Sequence, residues 1–198
     1  MRPHPLSNAT GGTTMQGNEQ LAVIIPKLRA LGDGIDPSQL DSPTPCRDFT
    51  VSGVLGHMTE LASAFAPMFR GEEPRQTDPG PDGASETARF DAAMAALLDA
   101  VQSPGALDRT IQTPGGAMPG AVFARLVAFD GLVHGWDLAT STGQTWELDD
   151  GLVGEIDEFA REAITDQMRD GDAFAPAQRA ADGATPIQRL AAFSGRST

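Results

Sequence analysis

Two histidines lie in segments whose apolar residues recur at helical spacing. His57 lies three positions after a valine and four before a leucine, so its side chain shares their helical face. His134 follows Asp130 by four positions, and this spacing places a carboxylate and an imidazole next to each other on one helix. An imidazole and an Asp–His pair on two helices have the residue types of a metal site.

A buried carboxylate in the second of these helices needs a compensating partner. Asp130 shares its predicted helical surface with three apolar residues, Phe123, Leu126 and Val133. It should therefore point toward the core, where an unpaired charge costs several kcal/mol. Two imidazoles and one carboxylate are a common ligand set for zinc and related metals, and bundles often supply such ligands from facing helices. His57, Asp130 and His134 are therefore candidate ligands for one divalent metal, which would leave coordination positions open for water or substrate.

The same residues also allow structural interpretations. The Asp130–His134 spacing suits an ordinary ion pair in a bundle without metal. His57 alone suits a core histidine bonded to a backbone carbonyl. Cys46, which precedes a predicted helix, is either a packing residue or a reactive thiol, and we favour packing. Glu60, one turn after His57, is a solvated side chain, which we favour, a hydrogen-bond acceptor behind a ligand, or an additional ligand.

Three further groups are candidates for the surroundings of the site. Asp137 and Trp136 are candidates for its mouth, and Asp137 alternatively accepts a hydrogen bond from a ligating imidazole. Arg47 and Arg125 are candidates for binding an anionic substrate, but their sequence positions do not place them at the metal.

Helical periodicity predicts the elements that would position these residues. Five helices are expected, with a further short amphipathic segment at residues 186–193, and no stretch alternates as a strand. Residues 35–49 and 103–116 are predicted loops, and residues 71–83, which are charged and rich in Pro and Gly, are expected to be a surface connection. The fold class is therefore all-α, a helical bundle. The five helices are expected at residues 16–31, 51–69, 85–101, 119–140 and 150–168.

Composition limits the domain organisation and the partners. We expect a disordered polar leader at residues 1–15 and a single helical domain at 16–198 that ends in an extended tail. The formal net charge of −13 disfavours nucleic acid as a partner. No apolar stretch reaches the length of a membrane span. The single cysteine suits a reducing compartment, and we expect a cytoplasmic protein.

Three sequence motifs resemble one known family. The run TPCRDFTV from Thr44, which leads to His57, and the run DGLVHGWDLA from Asp130 are similar to the two metal-bearing motifs of DinB-like proteins of the mycothiol-dependent maleylpyruvate isomerase type. The run PIQRLAAFSGR from Pro186 resembles the closing segment of the short actinobacterial branch. Two residues depart from the isomerase pattern: Phe49 stands in place of a tryptophan, and Asp130 stands in place of a glutamate.

The resemblance implies a DinB-like four-helix bundle with an additional C-terminal helix. It implies a divalent metal, zinc first with nickel or iron as alternatives, bound by His57, Asp130 and His134. It also implies mycothiol as co-substrate, an electrophilic small molecule as substrate, and S-transferase or isomerase chemistry without a catalytic nucleophile from the protein. The isomerase carries a further C-terminal domain for which the given residues leave no room, so we do not expect this protein to be that isomerase. A non-catalytic bundle that binds a metal or small molecule is the alternative, and a homodimer is compatible with either.

Overall fold

Six helices and one short hairpin make up the described part of the chain. A computed structural model of the protein describes residues 14–72, 83–113, 116–165, 169 and 175–198. The helices are α1 (Gly17–Asp33), α2 (Val51–Arg70), α3 (Glu86–Val101), α4 (Gly120–Thr142), α5 (Asp150–Ala163) and α6 (Pro186–Phe193). A single 3-10 turn, Pro37–Gln39, lies in the connection between α1 and α2. The predicted all-α class is confirmed.

The first four helices pack around a common apolar core. α1 contacts α3 and α4, and α2 contacts α3 and α4, while α5 and α6 pack against α4 and against each other. The core residues of α1 recur at helical spacing, and Pro26 lies on its exposed side without ending the helix. None of the described helices combines the length and apolarity that crossing a bilayer requires.

Capping residues set the bounds of α2 and α4. The Thr50 side chain accepts a hydrogen bond from the Gly53 N–H and caps the start of α2, as predicted. Gly71 directly follows the end of α2 and Gly143 the end of α4, with φ values of +72° and +71° in the left-handed region that glycine adopts readily. The two helices that carry the candidate ligands therefore begin and end close to where the sequence predicts.

A two-stranded antiparallel hairpin replaces part of a predicted loop. Strands β1 (Thr110–Thr113) and β2 (Gly116–Pro119) pair with Ile111 opposite Met118. The expectation of no strands was wrong here, because four-residue strands are too short to show an alternating pattern. Ile111 is buried and anchors the hairpin to the core.

One helix ends earlier than predicted, and some predicted segments lie outside the described residues. α5 stops at Ala163 rather than near residue 168, because the buried Ile164 already has extended backbone. Residues 1–13 of the predicted leader and residues 73–82 of the predicted connection lie outside the described part of the chain. The division into a leader at 1–15 and one domain at 16–198 stays a prediction.

Gly135, which directly follows His134, allows the indole of Trp146 to lie against α4. A Cβ at Gly135 would overlap the Trp146 ring, which is held by a hydrogen bond from its Nε1 to the Leu132 carbonyl (3.1 Å). We expect Gly135→Ala to lower the free energy of unfolding by about 1–3 kcal/mol, because a rigid ring must shift. Urea denaturation measures this. Gly154→Ala in α5, where a Cβ would meet nothing within 4 Å, is the matched control and should not destabilise. Equal stability of the two variants would contradict the packing argument.

Candidate metal centre

The three predicted ligands lie together between α2 and α4. Ligand atoms of His57, Asp130 and His134 all lie within 4.8 Å of one another. The two imidazole ring centroids are 5.2 Å apart, and His134 Nε2 lies 3.6 Å from Asp130 Oδ1. The fold thus joins a residue of α2 to a pair more than 70 positions later in the sequence.

The three side chains differ in exposure, and Asp130 departs from the expectation. His134 is buried, with 5% exposed, whereas His57 is half-buried. Asp130 was expected to point into the core, but a third of its side chain is exposed (33%). The reason is that α4 has buried residues on every side, so its apolar pattern does not define one inward face. An accessible carboxylate next to a buried imidazole leaves one side of the cluster open.

Phe49 and the surrounding protein influence His57. The Phe49 ring stacks on the His57 ring with centroids 5.2 Å apart and an interplanar angle of 29°. Burial lowers the pKa of His57, and its effect exceeds the opposing attraction of Asp130. The neutral imidazole, which has a free lone pair for a metal, is therefore favoured at neutral pH.

Asp137 orients the ring of His134 through a hydrogen bond to its Nδ1. Its carboxylate, which has no exposed surface, lies 3.0 Å from His134 Nδ1. Because a carboxylate accepts hydrogen bonds, Nδ1–H donates and the lone pair of a neutral His134 is on Nε2, which faces Asp130. Of the two roles that the sequence suggested for Asp137, the structure shows the hydrogen bond to the imidazole.

Arg196 is a part of this arrangement that sequence reasoning missed. Its Nη2 donates to Asp137 Oδ2 at 2.8 Å, and its Nε lies 3.3 Å from both carboxylate oxygens. Burial by itself would lower the pKa of Arg196. The hydrogen bond and the charge of Asp137 outweigh this effect, so the pKa is raised overall. The only signal in the sequence was the family-like closing run that contains Arg196, since nothing in its spacing connects it to α4.

A cavity of about 590 Å³ opens beside the three ligands. One wall comes from the loop before α2, a second from the ligand-bearing helices, and a third from the C-terminal segment. The cavity is lined by Pro45, Cys46, Arg47, Asp48, Phe49, His57, Asp130, His134, Ala175, Pro176, Gln178, Ser194, Gly195 and Arg196. A volume of this size holds an organic molecule beside the open face of the cluster.

Cys46 lies in the wall of this cavity, half-buried. Its sulfur, a ring nitrogen of His134 and a carboxylate oxygen of Asp137 lie within 4.8 Å of one another. Burial raises the pKa of the thiol, and the nearby Arg196 opposes this only in part. Cys46 is thus near the site, although little of it is thiolate at neutral pH.

We expect Cys46 to be alkylated slowly. Its raised pKa means a smaller thiolate fraction at any pH below that value, so iodoacetamide should react more slowly at pH 7.5 than with a free thiol whose pKa is unshifted. The rate should rise as the pH approaches the raised pKa. Mass spectrometry of quenched samples measures both rates, with urea-unfolded protein as the control. Alkylation of the folded protein as fast as the unfolded chain would contradict this.

The other candidate residues lie in different places. Glu60 is exposed, as favoured, and Arg47 lines the cavity. Arg125 instead lies over the ring of Phe159, 4.1 Å from its centroid. Trp136 was a candidate for the mouth of the site, but it lines a separate cavity of about 350 Å³ with Trp146. Neighbouring positions on α4 face different directions, which explains why Asp137 lies at the site and Trp136 does not.

The donor set fits a divalent metal. Donors around a tetrahedral zinc lie about 3.3 Å apart, given bond lengths near 2.0–2.2 Å. The Asp130–His134 separation of 3.6 Å is already close to this value. Small side-chain rotations would bring the third donor to the same distance, since all three start within 4.8 Å.

Comparisons with known proteins identify relatives of this sequence and of this fold. Residues 21–139 match the mycothiol maleylpyruvate isomerase N-terminal domain family. Two uncharacterized proteins from two strains of Mycobacterium tuberculosis are each 34% identical over 171 residues, which cover 84% of this chain and 90% of theirs.

A solved structure supports the same grouping at the level of the fold. A crystal structure of a histidine-to-alanine mutant of mycothiol-dependent maleylpyruvate isomerase superposes with a TM-score of 0.59 at 14% sequence identity. The match covers 79% of this chain and 71% of that one, and it confirms the predicted DinB-like helical fold. The family match covers the part of the chain that carries His57, Asp130 and His134. The chain belongs to the mycothiol maleylpyruvate isomerase N-terminal domain family.

Proposed function

We propose that this protein is a metal-dependent enzyme that uses a low-molecular-weight thiol, mycothiol, as co-substrate in S-transfer or isomerisation. The observation that carries the proposal is the convergence of His57, Asp130 and His134 at one wall of an open cavity. Three protein ligands with an open side are typical of catalytic rather than structural zinc sites. The family description and the name of the structural neighbour suggest that the thiol is mycothiol.

His57, Asp130 and His134 would hold one divalent cation. Zinc is the first candidate, and nickel and iron are alternatives for the same donors. When bound, such a cation favours ionisation of a thiol placed beside it, which makes a stronger nucleophile at neutral pH. A divalent cation held by two uncharged imidazole donors and the single negative charge of Asp130 would keep a net positive charge toward an incoming thiolate.

The cavity residues would position the two small molecules. Phe49 and Pro45 form an apolar wall beside His57, and Arg47 provides a cation in the lining. Holding a thiol and an electrophile together replaces a bimolecular encounter with a positioned one. Cys46 is not proposed as the nucleophile, because its raised pKa keeps it protonated.

The thiolate of the co-substrate would attack an electrophilic carbon of the second substrate. In S-transfer, the new C–S bond replaces the bond to a leaving group, which departs with the electron pair. In isomerisation, the thiolate would add to a conjugated double bond to give an enolate-type anion, the resulting single bond would rotate, and elimination would restore the double bond and release the thiolate. Neither route changes the oxidation state of the protein or needs a protein nucleophile.

Metal analysis and a thiol-dependent assay test the proposal. We expect elemental analysis of purified protein to find about one divalent metal per chain, or metal-free protein to bind added zinc or nickel. With metal, the protein should accelerate addition of mycothiol to a model electrophile. Protein that lacks metal and also refuses zinc and nickel would exclude the proposal. Metal retention without any acceleration would favour the non-catalytic binding alternative instead.

A further inference from the structure

A buried ion pair connects the C-terminal segment to the candidate metal centre. The Asp137 side chain has no exposed surface, and only 12% of the Arg196 side chain is exposed. Burying both charges is costly unless the geometry is good, and the pair often adds little net stability. A role in positioning would explain a buried pair at this location.

The backbone around α6 fixes where the guanidinium lies. α6 packs against α4 and α5 through Leu190, Ala191 and Ala192, which are buried. The Arg196 N–H donates to the Ala191 carbonyl at 3.0 Å, and Arg196 Nη1 donates to the Ser194 carbonyl at 3.2 Å. The position of Arg196 therefore follows from the docking of α6, not from a flexible tail.

Asp137 would be poorly held without Arg196. His134 Nδ1 contacts only Oδ2 of the carboxylate, whereas the donors of Arg196 contact both of its oxygens and define its plane. The carboxylate in turn sets the orientation of the His134 ring. Arg196 Nη2 also lies 3.5 Å from His134 Nδ1, but both are donors here, so the Asp137 carboxylate between them is what joins Arg196 to His134.

We propose that Arg196 is a positioning residue of the metal centre: it holds Asp137, which holds the His134 ring with Nε2 toward the metal. The C-terminal segment thereby becomes part of a site whose ligands all come from α2 and α4. This inference rests on the proposed function. Loss of an outer partner of a metal-bound histidine typically weakens metal binding by about 10–100-fold, which sets the expected effect.

Arg196→Lys and Arg196→Met test the inference. Apparent Zn²⁺ affinity, measured by competition with a chromogenic chelator, should fall by about 10-fold in Arg196→Lys, because lysine keeps the charge but lacks the planar fork. In Arg196→Met the apparent Zn²⁺ affinity should fall by up to about 100-fold. The Co²⁺ absorption spectrum should change in both variants, since it reports ligand geometry. Arg189→Met is the matched control, because this exposed arginine of α6 donates to the Ala184 carbonyl.

The outcomes separate the inference from the proposed function. If wild-type protein binds no zinc, nickel or cobalt, the proposed function fails. If it binds metal and folded Arg196→Lys binds within about twofold with an unchanged Co²⁺ spectrum, Arg196 is merely structural and the inference is overturned. Should Arg196→Met not fold, Arg196→Lys still decides, because it keeps the counter-charge of Asp137. In protein that already carries Asp137→Asn, adding Arg196→Lys should lower the Zn²⁺ affinity by less than about twofold. A further loss of about 10-fold would show that Arg196 does not act through Asp137 and would overturn the inference.

Discussion

Substitution of His57 by alanine is expected to weaken Zn²⁺ binding by more than about 100-fold. Losing an outer-shell partner already costs about 10–100-fold, and a direct ligand contributes more. Asp130 and His134 would remain as an adjacent pair on α4, which leaves one carboxylate and one imidazole to hold the cation. Thiol-transfer activity should disappear together with the metal. Isothermal titration with zinc, and the activity assay with mycothiol, measure the two losses.

The same variant should lose the stabilisation that metal gives. Zinc at about 100 times its dissociation constant adds about 2.7 kcal/mol to the unfolding free energy of a protein that binds it only when folded. For a domain of this size that corresponds to a rise in melting temperature of about 5–11 °C. Wild-type protein should show this shift and His57→Ala should not. Glu60→Gln is the matched control, because Glu60 is an exposed residue one turn along the same helix. Activity that survives in His57→Ala would exclude the proposed role of this residue.

Much of the site was predictable because it follows from helical geometry. The four-residue spacing of Asp130 and His134 requires them to be neighbours on any α-helix, whatever the rest of the fold. The position of His57 on the apolar face of α2 indicated that it faces the bundle. That it meets the Asp130–His134 pair depended on the packing of α2 against α4, which the family resemblance supplied and spacing alone does not.

The parts that sequence reasoning missed depend on contacts between distant segments. Arg196 reaches Asp137 across 59 positions, and no local pattern encodes that contact. The exposure of Asp130 was misjudged because α4 has buried residues on every side, so periodicity gave no direction. The hairpin at residues 110–119 was missed because each strand has only four residues. For Arg196 and Asp130, tertiary packing determines the outcome, whereas the hairpin is a local feature too short to show in the pattern.

α2 also contains a residue whose substitution should have the opposite effect to that of His57. Phe69 has no exposed surface and packs against the Phe123 ring, with centroids 5.5 Å apart. Truncating a buried phenylalanine to alanine costs about 3–5 kcal/mol, because apolar burial is lost and a cavity remains. We expect Phe69→Ala to lower the free energy of unfolding by this amount and the melting temperature by about 6–20 °C.

Metal binding by folded Phe69→Ala should nevertheless be close to wild type. Phe69 lies 12 positions after His57, about 18 Å along the helix axis, so its cavity forms far from the ligands. Phe65→Ala is the control for position on the helix, and it should cost less stability because Phe65 is only half-buried. Thermal denaturation and zinc titration below the melting temperature measure the two quantities. If Phe69→Ala lost zinc affinity as strongly as His57→Ala does, the ligand geometry would depend on packing along the whole of α2. If it does not, α2 has two separable roles, with stability from its C-terminal half and metal binding from its N-terminal half.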